Sequence, residues 1–115
     1  MVESCIAYSR SLKGATDDYP FGPSPLVMKI GGKMFVLFGG EGNEATVSLK
    51  CDPIIAENLR QQHAGVRPGY HLNKKHWNTV DLDGSLSVEE VCDMIEHSYR
   101  LVLNSLPKRQ REQYA

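Results

Sequence analysis

The 115-residue sequence predicts an α+β domain of two layers, with helices on one face of a five-stranded antiparallel sheet, in the order helix, three strands, helix, two strands, helix. Two observations predict it. Two apolar runs, residues 26–30 and 33–38, flank Gly31-Gly32, a glycine pair that accepts positive φ at both turn positions and so signals a hairpin. A capping box, Ser87-Val88-Glu89-Glu90, opens a long stripe of Val91, Cys92, Ile95, Tyr99, Val102 and Leu106 at helical spacing.

The elements follow in order. Residues 2–13 place Val2, Cys5, Ile6, Ser9 and Leu12 on one helical face, and Gly14 is placed to stop that helix. Residues 17–25 hold Pro20, Pro23 and Pro25, none with an amide hydrogen, and read as an irregular connection that Tyr19 and Phe21 are expected to pin to the core. After the first hairpin and a glycine-rich loop, residues 45–51 alternate Val47, Leu49 and Cys51 with Thr46, Ser48 and Lys50, as a half-buried third strand does. Asp52 is a cap and Pro53 a first-turn residue for a helix reaching His63, with Ile55, Leu59 and Gln62 on its inner face. Residues 70–72 and 77–82 are read as a second hairpin turning at 73–76. Leu86 and Val91 have the spacing of a hydrophobic staple at the start of the last long helix; Pro107 ends it, leaving 108–115 as a short polar helix or frayed tail.

The length and a 41% hydrophobic content support one core, so a single domain spanning 1–115 is expected. Cys5, Cys51 and Cys92 make an odd set without a C-x-x-C pair, which suits a reducing cytoplasm better than a disulfide scaffold or structural zinc site. Glu3 stands where a secretory leader carries positive charge, and no apolar run reaches membrane-spanning length, so neither export nor a membrane partner is expected.

A net charge of −1 gives no global attraction to nucleic acid, but the charge is unevenly distributed. Residues 58–80 carry Arg60, Arg67, Lys74 and Lys75 without one Asp or Glu, and also hold His63, His71, His76 and Trp77. Residues 81–99 carry Asp81, Asp83, Glu89, Glu90, Asp93 and Glu96 without one Lys or Arg. The basic tract mixes cations for phosphate, Asn73 and Asn78 for base edges, and Trp77, Tyr70 or the histidines for stacking. Its plainer reading is a solvated, histidine-containing hairpin with no ligand.

Other motifs yield less. Thr79-x-Asp81-x-Asp83-Gly84-x-Leu86-x-x-x-Glu90 follows a calcium loop at several positions but lacks its leading aspartate, and a strand-like alternation precedes it where an entering helix is required. Gly39-Gly40-Glu41-Gly42 lacks the Gly-Lys-Ser/Thr ending of a phosphate loop, and the histidine spacings match no zinc pattern. Cys51 precedes a helix, which favours a thiolate, yet its strand alternation turns it into the core, where a thiol is inert. No cofactor, metal or enzymatic activity is expected.

The segments Tyr19-Pro20-Phe21-Gly22, Lys29-Ile30-Gly31-Gly32-Lys33-Met34-Phe35, Ser48-Leu49-Lys50-Cys51-Asp52-Pro53, Arg67-Pro68-Gly69-Tyr70-His71-Leu72-Asn73-Lys74-Lys75-His76-Trp77-Asn78 and His97-Ser98-Tyr99 together resemble the MmcQ/YjbR family over essentially the whole chain. The resemblance implies a fold similar to secretion chaperones, and a DNA-binding "double wing" formed by the hairpins at Gly31-Gly32 and at 73–76. The expectation is therefore a DNA-binding domain contacting its ligand through Lys33, Arg60, Arg67, His71, Asn73, Lys74, Lys75, His76 and Trp77. The rival is a protein-interaction module, chaperone-like or homodimeric, that uses a sheet surface or the acidic face of the last helix.

Overall fold

A computed structural model describes residues 1–70 and 72–114. The helices are α1 (Val2–Ser11), α2 (Pro53–Gln62), α3 (Val88–Ser105) and α4 (Lys108–Glu112). The strands are β1 (Thr16–Asp18), β2 (Leu26–Ile30), β3 (Lys33–Gly39), β4 (Thr46–Lys50), β5 (Val66–Pro68) and β6 (Trp77–Asp81), in one antiparallel sheet ordered β1-β2-β3-β4-β6-β5.

The two-layer α+β architecture is as expected, but the sheet has six strands, not five. The added strand, β1, is Thr-Asp-Asp and carries no apolar alternation that periodicity could detect. It is held at the sheet edge by main-chain pairing with β2 and by ion pairs of Asp18 with Lys29 (3.1 Å) and Asp17 with Arg10 (3.0 Å). Acidic side chains on an edge also discourage pairing with another chain.

The second hairpin is also displaced. Val66–Pro68, not residues 70–72, pairs with Trp77–Asp81. Pro68 is tolerated because β5 is an edge strand. Beyond it the ladder ends: the Gly69 amide donates to the Trp77 carbonyl (2.8 Å), and the Tyr70 amide turns to the Thr79 hydroxyl (3.0 Å).

α3 lies across β2, β3 and β4, α1 packs on α3, and α2 covers β5 and β6. The capping box forms in full, with Ser87 Oγ accepting from Glu90 N and Glu90 Oε1 accepting from Ser87 N. Asp52 caps α2 through the amides of Ile54 and Ile55, and Pro53 takes the first turn. Ile55 is 44% exposed, not inward, and Gln62 is exposed too; Ala56 is the buried contact because the short helix meets the sheet on that turn. Tyr19 and Phe21 do not reach the core either.

The His97-Ser98-Tyr99 segment ties α3 to the sheet. The β3–β4 ladder ends at the Val36–Leu49 pair, and the buried Ser98 hydroxyl serves the next pair, accepting from Lys50 N (2.8 Å) and donating to the Phe35 carbonyl (2.6 Å). Tyr99 meets the Phe35 ring edge-on at 5.4 Å, and His97 Nε2 accepts from Asp52 N (3.4 Å). Beyond Pro107 the chain forms α4, where Gln110 Nε2 donates to the Gly31 carbonyl (3.1 Å). Among the described residues no helix is long and apolar enough to cross a membrane.

Candidate nucleic-acid interface

The acid-free tract folds into the end of α2, β5, a connection over 69–76, and β6. Asn73 organises the turn: its carbonyl accepts from His76 N (3.2 Å) and Trp77 N (2.9 Å), and its Oδ1 accepts from Lys75 N (3.0 Å). Two cations are used in holding it. Lys74 Nζ donates to the Gly69 carbonyl (3.1 Å), and Arg60 Nη1 reaches from α2 to the Lys74 carbonyl (3.2 Å).

The predicted residues therefore have different placements. Arg60, Lys74 and Lys75 gather at the 73–76 turn, with Lys75 exposed and without a described side-chain partner. Lys33, exposed, starts β3 beside the Gly31-Gly32 turn. Trp77 and His76 are half-buried, and Asn73 Oδ1 is committed to the turn. Arg67 is not part of the turn cluster; Nη1 donates to both Asp81 oxygens at 2.8 Å. Asn78 is fully buried, donating to the Ala56 carbonyl (3.2 Å), and cannot read a base edge. His71 lies outside the described residues.

Antiparallel register places the two hairpin turns at the same end of the sheet. β3 begins there with Lys33, β4 ends there with Lys50 opposite Trp77, and β6 begins there after the 73–76 turn. Only β4 separates β3 from β6, so these strands lie about 10 Å apart. The contact of Gln110 with Gly31 brings α4, with Lys108, Arg109 and Arg111, to that end as well. The opposite end carries Glu41 and Glu44 around the 3-10 turn Gly42–Glu44, Asp83 in the turn after β6, and Glu89 and Glu90 in the first turn of α3. The sequence suggested a charge division along the chain; the fold separates these groups in space but leaves Asp52 and Asp93 at the Lys50 end.

Lys50 and the α4 cations were missed by sequence reasoning. Lys50 was visible as a solvent-side residue of its strand, but no sequence signal places α4 beside Gly31.

Cys5 and Cys51 favour the protonated form at neutral pH. Burial pushes both Cys51 and Cys5 up to about 11. Among the described residues no group of three His, Cys, Asp or Glu could hold a metal ion. The calcium-loop lookalike is a strand-turn-helix junction in which Asp83 Oδ1 accepts from Ser85 N (3.0 Å).

A family model described as YjbR matches residues 10–101, most of the chain. The protein belongs to the YjbR family. The uncharacterized protein YjbR of Escherichia coli K12 is 44% identical over 85 residues, 74% of this chain and 72% of that one. The uncharacterized protein YbdF of Escherichia coli O157:H7 is 38% identical over 94 residues, 82% of this chain and 77% of that one. A Deinococcus radiodurans protein of known crystal structure superposes with a TM-score of 0.91 at 35% identity, covering 99% of this chain and 87% of that one. The YjbR match includes both hairpin turns, Lys33, Lys50 and the 69–76 connection, but ends before Pro107. The α4 cations lie beyond the family-model match, within the 99% of this chain that the Deinococcus radiodurans structure covers.

Proposed function

We propose that this protein is a non-enzymatic DNA-binding domain of a reducing cytoplasm, resting its basic end on the phosphate backbone. The observation that supports this best is the shared location of the two hairpin turns, which puts Lys33, Lys50, Lys74 and Lys75 at one end of the sheet while Glu41, Glu44, Asp83, Glu89 and Glu90 lie at the other. Such a separation offsets a net charge of −1: the five carboxylates face away from the polyanion, although Asp52 and Asp93 stay near Lys50, and the molecule approaches in one orientation. Lys33 and Lys75 are the most available contacts, being exposed and without described side-chain partners. Arg60 and Lys74 keep the turn in shape and add field. His76 and Trp77 flank the turn where sugars or bases would pass.

Four lysines each neutralising one phosphate give a slope of log affinity against log salt of about −3.6 on duplex DNA and about −2.8 on a single strand. Fluorescence anisotropy over a salt series tests this. A slope in that range supports phosphate contact by the basic end, and affinity independent of salt refutes it.

A further inference from the structure

The sheet face turned away from the helices holds a groove of about 650 Å³, within the range of small-ligand sites. The connections 19–25 and 69–76 supply its walls, through Phe21 and Tyr70, and β3, β4 and β6 supply its floor. Phe21 and Tyr70 are 74% and 71% exposed. Two large, accessible rings on the walls of one groove offer stacking faces to a flat ligand.

The floor has specific polarity. Leu37, Ser48, Thr79 and Arg67 form a single cross-strand row. Ser48 Oγ and Thr79 Oγ1 are 2.8 Å apart, and Thr79 Oγ1 also accepts from Tyr70 N. Two hydroxyls carry two protons and one lies between them, so whichever donates, one O–H is left with no described acceptor. Arg67 commits only Nη1 to Asp81, which leaves its Nε and Nη2 donors. Among the described residues that line the groove there is no carboxylate, and Lys74 and Lys75 follow Leu72 on the turn beside it. The site therefore offers flat apolar walls, donors without matching acceptors, and a cationic border.

Resting on the reading of the basic end, we propose that this groove takes an unpaired base of single-stranded DNA. The base stacks on Phe21 or Tyr70 and turns an acceptor edge to the Ser48–Thr79 pair, and its backbone follows Lys74 and Lys75. Paired bases hide their faces in the helical stack, so the groove favours a single strand over a duplex.

Anisotropy with a labelled oligothymidine and a duplex of equal length tests this at low salt. Phe21→Ala and Tyr70→Ala are each expected to weaken oligothymidine binding roughly 5- to 100-fold while leaving duplex binding and the melting temperature unchanged; Tyr70→Phe, which keeps the ring, retains affinity. Unchanged oligothymidine affinity in both alanine variants overturns the groove assignment, even if charge reversal at Lys33 and Lys75 still abolishes binding. A wild-type dimer that Phe21→Ala converts to monomer also overturns it, by making a second copy the occupant. If the wild type binds neither strand form, the basic-end reading and the groove assignment fall together.

Discussion

Arg67 on β5 and Asp81 on β6 neutralise each other, with Nη1 of the arginine 2.8 Å from both carboxylate oxygens. An acid at the end of the basic tract thereby withdraws one of its four cations. Asp81→Asn is expected to release that charge, tightening duplex binding two- to fivefold and steepening the salt slope by up to about 0.9. Stability should change by less than about 1 kcal/mol, because both side chains are partly exposed. Anisotropy and thermal melts of the variant check both parts.

Ser98→Ala removes the hydroxyl that serves Lys50 N and Phe35 O, leaving main-chain groups unsatisfied where the sheet meets α3. The expected loss is about 2 kcal/mol in urea unfolding. A loss under about 0.5 kcal/mol would mean that the strands close up without it.

The glycine pair of the first hairpin separates turn strain from helix packing. Gly31 and Gly32 have φ of +58° and +80°, so alanine is strained at either position. At Gly31 a Cβ would also stand 2.7 Å from Leu106 Cδ1 and 2.9 Å from Gln110 Nε2, whereas at Gly32 it meets nothing within 4 Å. Gly31→Ala should therefore cost about 1 kcal/mol more than Gly32→Ala in chemical denaturation. Equal costs would mean that the Leu106 and Gln110 side chains swing aside.

Cys5 and Cys51 are raised to about 11 by burial, so the folded state holds their protons at pH values where the unfolded chain releases them. This stabilisation is complete below the ordinary thiol range and is lost as pH rises from about 9 toward 11. Melting temperature should fall across that window, less steeply in Cys51→Ala than in the wild type. A dilute thiol reagent near pH 8 should label Cys92, which is half-buried, well before the other two.

The sequence legibility followed where local chemistry decides structure. The Gly31-Gly32 hairpin, the Asp52-Pro53 helix start and the Ser87–Glu90 box could all be read because each is written in adjacent residues. β1 could not, since Thr16, Asp17 and Asp18 join the sheet through partners on other elements. The second hairpin was misplaced because Tyr70 to Leu72 looks more strand-like than Val66-Arg67-Pro68, yet Gly69 and Tyr70 close the loop through Trp77 and Thr79. In the candidate site, the basic tract was evident as an acid-free run. Arg67's pairing with Asp81, Lys50's place beside Trp77 and the approach of α4 to Gly31 depend on register and long-range packing, which charge counting does not carry.

The most direct test of the DNA-binding reading is the affinity of Lys33→Glu combined with Lys75→Glu for duplex and single-stranded DNA at low salt. These two lysines hold no described bond that the fold needs, whereas Lys74 supports its own turn. Phosphate contact through the basic end predicts an unchanged melting temperature, at least tenfold weaker binding of both DNA forms, and a shallower slope by about 1.8 on duplex. Wild-type affinity in the folded double variant would contradict it.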